Sequence, residues 1–196
     1  MVNLYSAMAA DSVIFNSEFN QKTFFAGCDQ LMNKLPDFTL KDLSSRIARK
    51  SSVIPVPIAD HLFERSHCKS LQNAPVKILW NHRWEYDKGP DRLLLFLTEL
   101  KNRHVSFEIN IVGEQFRSVP PEFDQIQAIF SKQIRYFGYI TNVDGYYKLL
   151  SQCDIVLSTA IHEFQGIAVM EAVAAGCIPL VPNRLSYQEY IDSAYC

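Results

Sequence analysis

The chain has 196 residues, of which 48% are apolar and 20% are charged, and its formal net charge is −2. A chain of this length and composition can bury one sizeable core, so we expect a globular protein of one domain or slightly more. The balanced charge argues against a protein that binds nucleic acid with its whole surface, although a local basic patch is compatible with it.

Neither a membrane span nor a disulfide framework is indicated. No apolar run approaches the roughly 20 residues that cross a bilayer, and the first residues lack the basic start of a secretory signal. The five cysteines are widely spaced and form no C-x-x-C pattern, so they predict neither a disulfide scaffold nor a zinc site. We therefore expect a cytoplasmic protein with no membrane partner and no metal.

The first part of the chain is predicted to be the end of a domain. Its expected elements are a helix, a strand, two helices and an edge strand, at residues 4–10, 11–17, 18–27, 35–50 and 51–58. Ser17 is the expected N-cap of the second helix and Gly27 its end. Pro55 and Pro57 keep the last strand at an edge, because proline cannot donate to a neighbouring strand.

A polar linker is expected at residues 59–75, and a regular alternation follows it. Strands are predicted at residues 76–80, 107–112, 134–137, 155–158 and 178–181. Helices are predicted near residues 91–103, 121–131, 142–152, 166–175 and 186–191. Such an α/β alternation predicts a Rossmann-like parallel sheet with right-handed crossovers, and ligands then bind at the carboxyl ends of the strands.

The segment that follows the fourth of these strands combines a helix start with two carboxylates. A helix that opens at Gly166 points unpaired N–H groups and the positive end of its dipole outward, where phosphates commonly bind. Glu163 precedes the helix and Glu171 lies inside it, with seven residues between them. In a sugar-nucleotide site, the first could accept hydrogen bonds from the sugar and the second from the ribose. Alternatively, both are solvated charges of an ordinary Rossmann-like crossover.

The loop after the first strand of the alternation carries two cations, Arg83 and Lys88. They are expected to face the same crevice as the Gly166 helix start, and two cations beside a helix start suit a diphosphate. The alternative is a turn in which they pair with Glu85 and Asp87.

These residues resemble a known signature. Glu163, Gly166 and Glu171 are spaced as in the EX7E motif of the retaining glycosyltransferases of family 4, which have the two-domain GT-B fold. Arg83, followed by Lys88 and Gly89, is similar to the arginine and lysine-glycine pair with which that family holds the donor diphosphate. Where the family usually has a glycine before the arginine, His82 stands here.

Residues 80–88, 162–164 and 10–17 together resemble the glycosyltransferase-like domain-containing branch of family 4. Its characterised members transfer mannose from GDP-mannose to queuosine in tRNA. The resemblance covers residues 5–189. It implies that residues 1–58 are the end of the amino-terminal GT-B domain and residues 76–196 a truncated nucleotide-sugar-binding domain. It also implies a nucleotide-sugar donor, GDP-mannose, no further cofactor, and tRNA as a partner of the full-length protein.

With this resemblance, we expect Arg83, Lys88 and Glu163 to act in catalysis, without a metal, by stabilising the leaving diphosphate and holding the hexose. The expected donor-binding residues are His82, Tyr139, His162, Gly166, Ile167 and Glu171. The backbone of residues 135–140 is the candidate base contact, although Tyr136 and Phe137 could equally belong to the core.

Two other functions are compared with this one on the same residues: a binding module and a dehydrogenase. A non-catalytic nucleotide-sugar-binding module, or an inactive fragment, is the main alternative. A Rossmann-like dehydrogenase is disfavoured, because no G-x-G-x-x-G follows any predicted strand.

Overall fold

A computed structural model describes residues 2–35, 42–65 and 75–195. The chain forms two compact units, Met1–Pro57 and Ile58–Cys196. In the described ranges, no helix combines the length and the apolar character that crossing a membrane requires.

The first unit contains a short parallel sheet and three helices among its described residues. In chain order its elements are α1 (Val2–Ala9), β1 (Val13–Phe15), α2 (Glu18–Lys34), α3 (Leu43–Ala48) and β2 (Ser51–Val53). The two strands pair in parallel, with Val13 opposite Ser51. Apolar side chains from the three helices form a small core of Leu4, Ala7, Cys28, Leu43 and Ile47.

Several predicted ends in this unit need correction. Ser17 caps α2 as predicted, since its side chain accepts a hydrogen bond from the Asn20 amide at 2.9 Å. The prediction that Gly27 ends this helix is wrong, because glycine costs a helix only about 1 kcal/mol and the buried Cys28 continues its packed face. The final strand stops at Val53, before both prolines. Of the helix predicted at residues 35–50, residues 36–41 lie outside the described part of the chain.

The second unit contains the predicted βα alternation. In chain order its main elements are β3 (Val76–Asn81), α4 (Pro90–Asn102), β4 (Phe107–Val112), α5 (Glu122–Ile129), β5 (Ile134–Gly138), α6 (Val143–Gln152), β6 (Ile155–Leu157), α7 (Ile167–Ala174) and β7 (Ile178–Leu180). The strands form a five-stranded parallel sheet in the order β5-β4-β3-β6-β7. The predicted Rossmann-like parallel sheet is thus confirmed.

Both faces of this sheet are buried, which explains the continuous apolar runs of its strands. Successive residues of a strand point to opposite faces. In β3, Ile78 and Trp80 belong to one apolar cluster and Leu79 to another. Helices therefore cover the sheet on both sides, as parallel sheets require.

The strand order places a switch point between β3 and β6. From β3 the chain moves outward through β4 to β5, and then returns to pair β6 with the other edge of β3. At such a reversal the loops after the two central strands diverge and leave a crevice at their carboxyl ends. These two loops carry the residues singled out in the sequence.

Two segments of the second unit differ from the sequence prediction. Part of the expected linker forms a 3-10 helix, Asp60–Arg65, because Leu62 is fully buried in the core of this unit. The helix expected at residues 186–191 is a 3-10 helix, Leu185–Glu189. Tyr187 is buried there and its hydroxyl lies 2.7 Å from Ser158 Oγ, which ties the segment to the sheet and favours a short, tight turn.

Candidate functional site

Hydrogen bonds join the two loops at the switch point. The loop after β3 offers the carbonyls of Asp87 and Lys88, which accept from the Ile161 amide at 2.7 Å and from Thr159 Oγ1 at 2.8 Å. Thr159 Oγ1 also accepts from Trp80 Nε1 at 2.9 Å. Trp80 is fully buried in β3, so the sheet anchors this set of hydrogen bonds between the two loops, the joint.

Gly89 makes this close approach possible. Its φ of +67° lies in the left-handed region, which side chains rarely adopt. A Cβ at this position would overlap the Thr159 carbonyl. The glycine that follows Lys88 is therefore required by both the backbone conformation and the contact.

Lys88 is a buried cation at the centre of the joint. Its side chain is only 9% exposed, and Nζ lies 2.9 Å from the His162 carbonyl, 3.2 Å from Asp87 Oδ2 and 3.4 Å from Glu163 Oε2. A buried ammonium needs such partners, because desolvation of an unpaired charge is costly. These contacts fix the position of Lys88 and link the loop after β3 to the residues that precede α7.

Arg83 has a more open environment. Its side chain is 54% exposed and pairs with Glu85 at 3.1 Å. Exposed pairs of this kind contribute about 0–1 kcal/mol, so the guanidinium can change partner at little cost. The pairing with loop acids that was the alternative interpretation is therefore present for both cations, and Lys88 has Glu163 in addition.

His82 is buried beside these charges. Its ring packs edge-on against Trp80, and Nε2 has no hydrogen-bond partner among the described residues. Burial lowers the pKa of His82 to about 4, although the nearby Glu163 opposes that shift. The ring is therefore neutral at neutral pH, and its buried Nε2 leaves one hydrogen-bonding position unfilled.

The start of α7 is shaped by Gly166. Its φ is +78°, and a Cβ there would lie 2.7 Å from the Tyr187 ring. Ile167 begins the helix, and the first amides of a helix lack intrahelical partners. Before it, the His162 side chain is exposed, while Glu163 Oε1 accepts from the Phe164 amide at 3.1 Å.

Glu171 lies one turn into α7 and belongs to a separate network. Its Oε2 accepts from the Tyr146 hydroxyl at 3.0 Å. Burial raises the pKa of Glu171, and the hydrogen bond from Tyr146 acts in the opposite direction. Burial also raises the pKa of Tyr146, so this hydroxyl remains protonated.

A cavity of about 290 Å³ opens beside this network, at the carboxyl ends of β3, β4 and β5. Its walls include Asn81, His82, Arg83, Gly113, Tyr139 and Tyr146. Three of the predicted site residues therefore meet here, while Lys88, His162, Glu163, Gly166, Ile167 and Glu171 lie outside the cavity lining. Gly113 lets the backbone after β4 lie close against the His82 backbone in the cavity wall, because a Cβ at this position would overlap the His82 carbonyl.

Residues 135–140, the segment predicted to contact a base, include both exposed side chains and a side chain of the core. Tyr139 is 59% exposed and its carbonyl accepts from the Tyr136 hydroxyl at 3.0 Å. Phe137 packs edge-on against the buried Trp84 at 4.6 Å between ring centroids. Of the two residues that were open alternatives, Phe137 therefore belongs to the core, whereas Tyr136 is 38% exposed.

Several residues that build the site were not predicted from the sequence. Arg184 donates to the carbonyls of Ile161 and Ala160 at 2.9 and 2.6 Å, and so fixes the loop after β6. Asn81 could have been found as a polar residue at the carboxyl end of an apolar strand. Tyr146 and Arg184 gave no such signal, because their partners lie far away in sequence. In the described part of the chain, no group of three His, Cys, Asp or Glu side chains could hold a metal.

Comparisons with known proteins match both parts of the chain. A family model described as "Glycosyl transferases group 1" matches residues 65–196. A second, described as "tRNA-queuosine alpha-mannosyltransferase N-terminal", matches residues 1–58. A Drosophila melanogaster protein named tRNA-queuosine alpha-mannosyltransferase is 37% identical over an alignment of 193 residues, and the match covers 95% of this chain and 51% of the relative. The chain thus spans about half the length of that relative.

Solved structures are similar in fold at low sequence identity. E. coli trehalose-6-phosphate synthase bound with UDP-2-fluoro glucose has a TM-score of 0.65 and 17% identity, over 91% of this chain and 47% of the other. The pneumococcal O-GlcNAc transferase GtfA in complex with UDP and GlcNAc has a TM-score of 0.64 and 16% identity, over 98% and 34%. The predicted GT-B fold class is confirmed by these neighbours.

Proposed function

The chain belongs to the glycosyl transferases group 1 family, and on that premise we propose that it provides the donor-binding half of a retaining mannosyltransferase. The donor is GDP-mannose and the acceptor is queuosine in tRNA. The activity requires no metal and takes place in the cytoplasm. The sugar nucleotide lies in the crevice at the switch point, with its nucleoside in the neighbouring cavity.

The joint between Lys88 and the residues before α7 carries this proposal. It holds a buried cation 3.4 Å from Glu163, just ahead of the helix that opens at Gly166. A diphosphate needs positive charge from more than one direction, and here an ammonium and a helix start are fixed within one tied pair of loops. Arg83, whose partner Glu85 is exposed enough to be replaced, supplies a second cation.

Two carboxylates divide the remaining donor contacts. Glu171 bonds to Tyr146, which lines the cavity, so Glu171 suits the ribose hydroxyls. Glu163 bonds to Lys88 on the diphosphate side and suits the hexose. His82 and the backbone near Tyr139 then border the nucleoside, and the amide of Ile167 meets the phosphates.

The chemistry follows from where charge develops. As the bond between mannose and the diphosphate breaks, negative charge grows on the leaving phosphate oxygens. Cations and amide dipoles that are already in place stabilise this charge without having to reorganise. No side chain is assigned as a nucleophile, because attack of the acceptor on the face that the diphosphate leaves accounts for retention. The leaving phosphate helps to remove the proton of the acceptor.

A transfer assay tests the proposal. The full-length protein is incubated with radiolabelled GDP-mannose and with tRNA that contains queuosine, and label in the tRNA is measured. We expect incorporation with this tRNA and none with the same tRNA carrying guanosine at that position. Replacement of GDP-mannose by UDP-glucose should abolish transfer. Donor binding without any transfer to queuosine would instead support the non-catalytic module.

A further inference from the structure

A short chain of hydrogen bonds connects three elements behind the candidate ribose carboxylate. Asn81, at the end of β3, donates through Nδ2 to the Ala168 carbonyl at 2.7 Å and to the Tyr146 hydroxyl at 3.1 Å. Tyr146, on α6, donates to Glu171 Oε2 at 3.0 Å. Asn81 is only 5% exposed, so water competes little for these bonds.

The direction of each bond follows from the groups involved. A carbonyl can only accept, so the amide nitrogen of Asn81 must face Ala168. The same nitrogen contacts the Tyr146 hydroxyl, which must therefore accept that bond. The single proton of this hydroxyl is then left for Glu171. Glu171 Oε2 thus receives a hydrogen bond of defined direction.

We propose that Tyr146, oriented by Asn81, is a positioning residue that holds Glu171 so that one carboxylate oxygen is bound within the protein and the other accepts from the ribose. In the described part of the chain, Oε2 bonds to Tyr146 and no bond to Oε1 is formed. The identity of the nucleotide rests on the proposed function, but the network does not.

The position of the network suits this role. Asn81 and Tyr146 both line the cavity of about 290 Å³, and Glu171, outside that lining, is hydrogen-bonded to the Tyr146 hydroxyl. A nucleoside whose base lies in the cavity and whose ribose extends past Tyr146 towards α7 would therefore meet a carboxylate whose orientation is already set. Because the Glu171 side chain is already oriented, less conformational entropy is lost when the ligand binds.

The network also has an electrostatic consequence. The network brings the uncharged Tyr146 hydroxyl from α6 to Glu171, with the uncharged Asn81 from β3 bonded to Tyr146 in turn, and among the described residues no cation forms an ion pair with Glu171. Burial raises the pKa of Glu171, and the bond from Tyr146 is what opposes that effect. Loss of the Tyr146 hydroxyl should therefore raise the pKa of Glu171 further.

Tyr146→Phe tests the proposal, with Tyr147→Phe as the matched control on the same helix. The Glu171 carboxyl is followed by carbon-13 NMR during a pH titration of the ligand-free protein. We expect its midpoint to rise by about one pH unit in Tyr146→Phe, the equivalent of one hydrogen bond, and to stay unchanged in Tyr147→Phe. An unchanged midpoint in both variants would overturn the proposal.

Calorimetric titration with GDP and 2′,3′-dideoxy-GDP then tests the contact with the ribose. Wild type and Tyr147→Phe should prefer GDP by about tenfold, and Tyr146→Phe and Glu171→Gln should lose most of that preference. Equal binding of both nucleotides by wild type would refute the ribose contact. If wild type binds neither nucleotide, the proposed function fails, and the NMR titration still decides whether Tyr146 positions Glu171.

Discussion

Glu163→Gln separates the roles of the two glutamates. Glutamine keeps an oxygen that can accept the Phe164 amide, as Glu163 Oε1 does at 3.1 Å. It removes the charge that faces Lys88 at 3.4 Å. Lys88 retains the His162 carbonyl and Asp87, so the loops should stay joined and the loss of folding stability should be about 1 kcal/mol.

The expected effect on binding differs between two ligands. GDP has no hexose, so its affinity should be almost unchanged. GDP-mannose should lose about 1–3 kcal/mol, roughly a 5- to 150-fold rise in Kd, because a hydrogen bond to a charged group is lost. Glu171→Gln should weaken both ligands alike, since both carry the ribose.

Isothermal titration of each variant with both ligands provides the measurement. Glu99→Gln is the matched control, because Glu99 is an exposed carboxylate of α4 that pairs with Arg103, just after the end of that helix and away from the switch point. If Glu163→Gln and Glu171→Gln weaken GDP to the same extent, the assignment of Glu163 to the hexose is wrong.

Three further predictions follow from the site. Arg83→Ala and Lys88→Ala should each slow transfer by about 10²-fold or more, with exposed Lys148→Ala as control, and unchanged turnover in both would remove these cations from the site. Gly89→Ala should lower Tm, because it forces a left-handed backbone and an overlap with Thr159, whereas Gly145→Ala, which has room for a Cβ in α6, should leave Tm unchanged or raise it. Burial lowers the pKa of His82 in the folded protein to about 4, below the ordinary histidine value of 6.5, so the unfolded state binds more protons than the folded state between pH 4 and pH 6.5. The free energy of unfolding should fall as pH is lowered from 6.5 to 4; His82→Asn should flatten that slope in urea titrations, and exposed His104→Asn should not.

Strand positions were the most predictable part of the fold. The apolar runs of β3 to β7 are bounded by loops and helices, and the predicted ends differ from the observed ones by no more than one residue, as for β3 at Asn81. Such runs arise because both faces of a parallel sheet are buried, and that is visible in the order of residues alone. Helix ends were less predictable, as α2 shows, because packing around Cys28 outweighed the tendency of Gly27 to end a helix.

The site was predictable where backbone geometry demands a residue type. The two cations, the helix start at Gly166 and the resemblance to family 4 indicated the two loops, and in the structure Gly89 and Gly166 are places where a Cβ would overlap a neighbour. The partners of those charges were not predictable. Tyr146 reaches Glu171 across 25 positions in sequence, and only the packing of α6 against α7 brings them together.

The proposed function requires the crevice between the two tied loops to bind the donor. A crystal structure of the protein with GDP-mannose tests this binding site. We expect the diphosphate within hydrogen-bonding distance of Lys88 Nζ and the Ile167 amide, the ribose on Glu171, and the base in the cavity beside Tyr139. A diphosphate bound away from Lys88 and the start of α7, or a base outside that cavity, would show that the donor binds elsewhere.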